Sequence, residues 1–367
     1  MTLPKIFLVL GSGATVGGGF QVSYNGTLWK PPMDYNFFET PLVQSILSTG
    51  DYPALTHYKQ GSSLEINWAK IDLYYKLCNR KIITEEESFR NIQSAMKTSR
   101  IRGYAAKMNK EKEKSHFCVP SMALWELRWL VRTVFCKLTT PSDAVLFPLK
   151  RLIQRLNEDH LLQGIVTFNY ELSAELALQE ISSNPFFYPP FETIKSAGQI
   201  PLMKLHGSLN WQYSEKSTSK ICVRSSFTSI AQMDYVHKKN YVQPEIIGPT
   251  FFKQEITWDD RRSSDYRFKR YNKLWQFTWK ELKKTAVLVF IGFSFPRTDF
   301  HAAALFRTAH LSGSGFRRVI LCHFRDANLR RTAEQVFADK ATEFTEFPDG
   351  LQDMASRVDE LVKLLST

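Results

Sequence analysis

The sequence predicts an α/β fold: a Rossmann-like, mostly parallel sheet with helices on both faces, plus a helical insertion subdomain. Three observations predict it. Compact aliphatic runs at Lys5 to Leu10, Gly164 to Phe168, Ala286 to Ile291 and Arg318 to His323 have the length and bounding turns of buried strands. Segments with apolar side chains at helical spacing separate them, and strands alternating with helices imply a parallel sheet with right-handed crossovers. Several runs end at short glycine-rich or polar turns, which is where an open α/β sheet carries its ligand-binding loops.

The first strand, Lys5 to Leu10, runs straight into the turn Gly11-Ser12-Gly13-Ala14-Thr15-Val16-Gly17, and an aromatic loop containing Glu39 follows. From about Leu64 to His160 the chain is a helical block, with apolar residues at helical spacing over Leu64 to Leu77, Glu85 to Lys114, Met122 to Leu138 and Ala144 to Leu156. Lys107 to Lys114, dominated by Lys and Glu, is a solvated helix end or loop. The expected organisation is one domain over 1–367, its Rossmann-like core at approximately 1–40 and 160–367, with 41–159 as the helical insertion. The strand Gly164 to Phe168 leads into a helix over Ser173 to Ile181. A Pro- and aromatic-rich connector after Asn184-Pro185 comes next, then a short strand, Leu202 to Leu205, ending at His206-Gly207. Tyr213 to Gln243 is irregular, with short β pieces around Ile221 to Val223. Asp265 to Lys284 is an amphipathic helix, because Tyr271, Leu274, Trp275, Trp279 and Leu282 fall on one face. It feeds the strand Ala286 to Ile291. A helix over Phe300 to Leu311, the strand Arg318 to His323, a helix over Ala327 to Phe337, a short strand at Glu343-Phe344 and a helix over Leu351 to Leu365 complete the alternation.

A chain of 367 residues with 43% hydrophobic and 23% charged residues has the composition of a globular protein of two or three packing units. No apolar run approaches the ~20 residues needed to cross a bilayer, and Met1 to Lys5 leads into a strand rather than a secretory cleavage site, so a cytoplasmic protein with no membrane association is expected. The five cysteines are scattered and never spaced Cys-x-x-Cys, which suggests neither a disulfide framework nor a structural zinc site. The net charge of +12, with pairs such as Arg317-Arg318 and Arg330-Arg331, is either a solvated basic face or a surface for phosphates, nucleic acid or an acidic partner. No recognised nucleic-acid-binding motif accompanies it.

Five turns carry the candidate chemistry. Gly11-x-Gly13-x-x-x-Gly17 after a strand supplies backbone N–H groups near a helix start, which suits a pyrophosphate. Its spacing is one residue longer than Gly-x-Gly-x-x-Gly, and no acidic residue ends a second strand about twenty positions on, so an ordinary dehydrogenase is disfavoured. The alternative is a turn needing glycine only for its backbone angles. Thr167-Phe168-Asn169-Tyr170-Glu171 ends a buried strand, so that the Asn169 amide can meet ribose hydroxyls or an attacking water, or else cap the next helix. Glu171 has an equal claim as a first-turn acid favoured by the helix dipole. His206, between a strand end and a glycine, can accept a proton near neutral pH. Gly248-Pro249-Thr250 is a further loop of this kind. Gly292-Phe293-Ser294 gives a hydroxyl and a tight turn for a ribose or adenine edge, and Asp299 reads as the cap of the helix that follows.

In this order the five motifs resemble the sirtuin family, specifically its bacterial sirtuin-like NAD hydrolase branch from antiviral defence systems. The likeness covers roughly Lys5 to Phe38 and Gly164 to Phe324. It implies that Gly11, Ser12, Gly13, Ala14, Thr15 and Gly17 form the dinucleotide loop. Thr167, Asn169, Tyr170 and Glu171 are similar to the family's Thr-x-Asn-x-Asp, with Glu171 in the acidic position. Gly292 and Ser294 resemble the ribose-binding turn, and Asn169 and His206 the catalytic pair. Deacylating sirtuins carry a four-cysteine zinc module between the histidine and the Gly-x-Ser turn; that interval here contains only Cys222, which disfavours deacylation and implies no metal. The resemblance therefore implies NAD as substrate, cleaved to ADP-ribose and nicotinamide by an abortive-infection effector. It also implies a homo-oligomer controlled by a partner such as a HerA-type hexameric ATPase, with indirect nucleic-acid association. The competing expectations are a zinc-free deacylase or ADP-ribosyltransferase, a non-catalytic NAD or ADP-ribose module, and a basic nucleic-acid-binding protein.

Overall fold

The computed structural model describes residues 5–79, 119–135, 138–140, 147–182, 185–192, 197–213, 221–223, 244–248, 266–296, 299–337 and 342–366. The main sheet contains β1 (Ile6–Leu10), β5 (Leu162–Thr167), β6 (Phe186–Phe187), β7 (Ile200–Lys204), β11 (Val287–Ile291), β12 (Arg318–Cys322) and β13 (Glu343–Phe347). Two small antiparallel sheets join β2 (Gln21–Tyr24), β3 (Thr27–Trp29) and β4 (Leu138–Thr139), and β8 (Gly207–Tyr213), β9 (Ile221–Val223) and β10 (Pro244–Ile246).

The main sheet runs β13-β12-β11-β1-β5-β7-β6, and every neighbouring pair is parallel. Setting aside the two-residue edge strand β6 and reading from β7 to β13, the order is third, second, first, fourth, fifth, sixth along the chain. That is the doubly wound order, whose direction reverses between β1 and β11. Every residue of β1 and of β11 is buried, as expected where helices cover both faces and the strand reads as one continuous apolar run. Leu10 lies in register with Thr167 on one side and Ile291 on the other, so the turns starting at Gly11, Phe168 and Gly292 leave the same edge together.

Two groups of helices cover the sheet. Pro148–Glu158 packs on Ser173–Gln179, Leu351–Ser356 and Val358–Ser366, while Tyr266–Leu282 packs on Phe300–Ser312, which in turn meets Leu329–Val336. Tyr271, Leu274, Trp275 and Leu282 are buried and Trp279 is partly so, the face expected from their spacing. A second core runs from Val22 to Val134 and takes in Leu209 and Ile246. In it the helices Pro53–Tyr58 and Leu64–Asn79 pack on Val119–Phe135. The helix Pro53–Tyr58 has no side-chain cap at Tyr52; instead the fully buried Glu126 accepts the Leu55 N–H at 2.6 Å and the Ala54 N–H at 3.4 Å. Burial pushes the Glu126 carboxyl up to about 8 against the lowering effect of those two donors.

The structure departs from the sequence expectation in three places. β2 and β3 form a hairpin closed by Asn25 and Gly26, at φ 49° and 76°, where no strand was expected between Leu10 and Gly164; paired positive φ angles at Asn-Gly are the signature of a two-residue hairpin turn. The second core consequently begins at Val22, earlier than residue 41. The helix Pro148–Glu158, expected within the insertion, belongs to the main core through Leu149, Leu152, Ile153 and Leu156, and the C-terminal helix is two helices broken at Arg357. The expected helix over Glu85 to Lys114 and the stretch Lys107 to Lys114 lie outside the described residues. No described helix is long and apolar enough to cross a membrane.

Candidate active site

The site is built where the sheet order reverses. Gly11 N donates to Ile291 O at 3.0 Å and Gly13 N to Gly292 O at 3.1 Å, so the turns after β1 and β11 lie backbone to backbone. A Cβ on Gly11 would stand 2.4 Å from the Gly292 carbonyl oxygen, and one on Gly292, which sits at φ +59°, would stand 2.3 Å from Gly13 C. Glycine is needed here for close approach. Ala14 N is also spent inside the turn, on Gly11 O at 2.9 Å. Of the N–H groups that the sequence offers to a pyrophosphate, those of Gly11, Gly13 and Ala14 thus already have protein acceptors.

A cavity of about 280 Å³ opens at this edge. Of the residues singled out from sequence, it is lined by Gly11, Ser12, Thr15, Asn169, Tyr170, Glu171, His206, Gly292 and Ser294. Gly13, Ala14, Gly17 and Thr167 are not lining residues. Ala14 is buried in the core, a Cβ on Gly17 would face the Leu351 side chain at 3.4 Å, and Thr167 donates its hydroxyl to Leu10 O while accepting the Asn169 N–H. Of Gly248-Pro249-Thr250, only Gly248 is among the described residues.

Asn169 donates its Nδ2 to Gly11 O at 2.9 Å and to Thr15 Oγ1 at 3.2 Å. Its donor end is committed to the glycine turn, which leaves the amide oxygen as the acceptor for a water or a hydroxyl. Asn169 does not cap the next helix. Glu171, one residue before the N-cap Leu172, instead accepts Ser173 N at 2.5 Å, Ser173 Oγ at 2.9 Å and, through a short contact, the Thr15 hydroxyl.

His206 is 5% exposed, and its Nε2 lies 3.1 Å from Asp299 Oδ2. The Phe168 ring meets the imidazole edge-on at 5.1 Å. The His206 carbonyl accepts the Ile247 N–H at 2.8 Å, and the Ile247 carbonyl accepts the Tyr170 hydroxyl at 2.8 Å, so the loops carrying Asn169 and His206 are tied through one residue. Burial raises the Tyr170 hydroxyl well above its ordinary range, which keeps it neutral and donating. The cap expected of Asp299 is corrected: it occupies the N-cap position of Phe300–Ser312 without a side-chain cap bond, and its carboxylate faces His206. A carboxylate on one ring nitrogen fixes the tautomer and orientation of an imidazole and stabilises its protonated form. Phe295 sits at φ +50°, a strained angle for a bulky residue, with its ring packed on Phe290 and Phe293.

The opposite wall was not foreseen. It comes from the second core: Pro31, Pro32, Met33, Asp34, Tyr35 and Phe37, with Leu64, Glu65 and Phe135. Asp34 accepts Glu65 N at 2.7 Å and the Ser63 hydroxyl at 3.0 Å, capping the helix Leu64–Asn79, and burial raises its carboxyl in spite of both bonds. The one local signal for this wall was Asn25-Gly26, which folds the chain back and returns Pro31 to Phe37 toward the sheet. The described lining holds four acidic residues, Asp34, Glu65, Glu171 and Asp299, and no Lys or Arg.

No protein-family model and no curated protein sequence matches the chain. Among solved structures it is similar to one addressing the mechanism and regulation of Sir2 enzymes, at 12% identity and a TM-score of 0.42 over 99% of this chain and 94% of the other. A structure concerned with sirtuin substrate affinity matches at 11% identity and 0.42 over 98% and 95%. A Sir2 homologue in complex with NAD matches at 11% and 0.41 over 99% and 90%. Similarity at this level assigns no residue a role, and the site stands on its own geometry.

Proposed function

We propose that the chain is an NAD+ glycohydrolase, cleaving the nicotinamide–ribose bond to give nicotinamide and ADP-ribose. The observation that carries this reading is that Asn169 and His206, from separate strand ends, line one cavity at the sheet's reversal point, with Asp299 behind the imidazole. A water that donates one O–H to the Asn169 amide oxygen, and is oriented by it, bonds through its oxygen to C1′ of the ribose. The C1′–N electron pair passes to the pyridinium, which leaves as neutral nicotinamide, and the water proton passes to His206 and then to solvent. No general acid is required. The transition state places positive charge on the ribose, and a lining whose described residues include four acids and no Lys or Arg suits that charge. The same lining disfavours the pyrophosphate, so the nicotinamide-ribose end occupies the cavity and the phosphates lie outside it. Alignment of this kind is worth roughly 7–11 kcal/mol of barrier and a placed base a further ~10²–10⁴-fold.

The motif resemblance extends the proposal to an effector that depletes NAD in antiviral defence, as a homo-oligomer under the control of a partner such as a HerA-type ATPase. Chromatography of nucleotides after incubation with NAD+, with and without such an ATPase and with and without an acyl-lysine peptide, tests the reading. Equimolar nicotinamide and ADP-ribose without peptide is expected, and Asn169→Ala and His206→Ala lose turnover while keeping the wild-type circular dichroism. NAD consumed only when acyl peptide is present would instead make the protein a deacylase.

A further inference from the structure

Lys204 ends β7, two residues before His206, and takes no part in the chemistry above. It is fully buried. Its ammonium donates to Glu175 Oε1 at 2.8 Å and to the Glu171 carbonyl at 2.5 Å, with the Tyr170 carbonyl at 3.5 Å. Glu175, on the helix Ser173–Gln179, is also fully buried, and its Oε1 accepts the Tyr188 hydroxyl at 2.9 Å. Asn210 donates to Tyr188 at 2.9 Å and accepts from Ser208 at 2.6 Å, while Glu175 Oε2 has no partner among the described residues. An apolar pair of the same size would join this helix to this strand without the cost of desolvating two charges. It could not hold backbone carbonyls.

We propose that Lys204 is a positioning residue: anchored by Glu175, its ammonium grips the Tyr170 and Glu171 carbonyls and so fixes the turn that presents Asn169 relative to His206. Its three donors suit the task, since one is held by the carboxylate and two point at successive carbonyls of the turn. The catalytic part of this inference rests on the hydrolase reading; the clamping of the turn does not.

Lys204→Met alone strands the Glu175 carboxyl in the core, so it is compared with Lys204→Met/Glu175→Leu, which removes both charges. The readouts are melting temperature, amide hydrogen exchange over 168–173, and kcat and KM for NAD cleavage. The double variant is expected to melt near wild type while the turn exchanges about tenfold faster. Its kcat falls by about a hundred-fold with KM little changed, the effect of a misplaced reacting group. A double variant with wild-type exchange and wild-type turnover overturns the proposal. If that variant does not fold, Glu175→Gln, which keeps the shape of the anchor, takes its place: faster exchange in the turn supports the clamp and unchanged exchange overturns it. A wild-type protein that leaves NAD intact removes the hydrolase reading, and the exchange measurement alone then judges the clamp.

Discussion

At the scale of single residues, the site depends on how two side chains are held. Asn169 is committed on its nitrogen to Gly11 and Thr15, and His206 is backed by Asp299. Asp299→Asn keeps the shape of the pair and removes its charge, so the fold should stay intact while kcat falls by about 10²–10⁴-fold. Steady-state kinetics beside a thermal melt measure both, and an unchanged kcat would leave Asp299 without a part in the reaction. That Asn169 and His206 line one cavity was legible in the sequence because each stands at the end of an apolar run. Asp299 was misread as a cap, since five residues after Ser294 and one before a helix is where a capping aspartate belongs, and nothing local says that a histidine ninety positions earlier claims it. Lys204 left no trace at all: a lysine closing a short strand looks like an exposed edge residue until the strand is found in the interior of the sheet.

At the scale of elements, the turns after β1 and β11 work as one unit. Their glycines are spaced for mutual contact, with Gly13 N on Gly292 O and no room for a Cβ on either strand's turn. Gly292→Ala combines a left-handed angle with an overlap against backbone that cannot yield, and it should cost about 2–5 kcal/mol. Urea unfolding would show the loss, and a variant as stable as wild type would mean that the two turns can separate cheaply. The strands β1, β11 and β12 were easy to find because they are buried on both faces over most of their length and so form apolar runs. β2 and β3 were missed because three- and four-residue strands with one partly exposed face carry little periodicity, although Asn25-Gly26 marked the turn between them.

At the scale of the whole molecule, two cores meet across the cavity, and the smaller one supplies the wall built from Pro31 to Phe37. Its integrity depends on Glu126, whose carboxyl caps a neighbouring helix from full burial. With its folded-state pKa raised from the ordinary 4.5 to about 8, Glu126 binds its proton more tightly in the folded than in the unfolded chain. The resulting stability is fully present below pH 4.5 and is lost as the pH rises through about 8. Urea midpoints of the wild type should therefore fall relative to those of Glu126→Gln between these limits; parallel curves for the two proteins would show that Glu126 ionises without penalty. The second core itself was legible as a helical block, but its boundaries were not, because the helix Pro148–Glu158 has the same amphipathic spacing whether it packs on helices or on the sheet.

For the proposed hydrolysis, one ribose carbon must sit between Asn169 and His206. A crystal structure of the His206→Ala protein with NAD+ tests this directly and independently of any activating partner. The nicotinamide ribose is predicted in the cavity, with a water on the Asn169 amide oxygen ~3–3.5 Å from C1′ and the pyrophosphate outside the carboxylate lining. NAD+ bound elsewhere, or held in the cavity by its adenine end, would contradict the account.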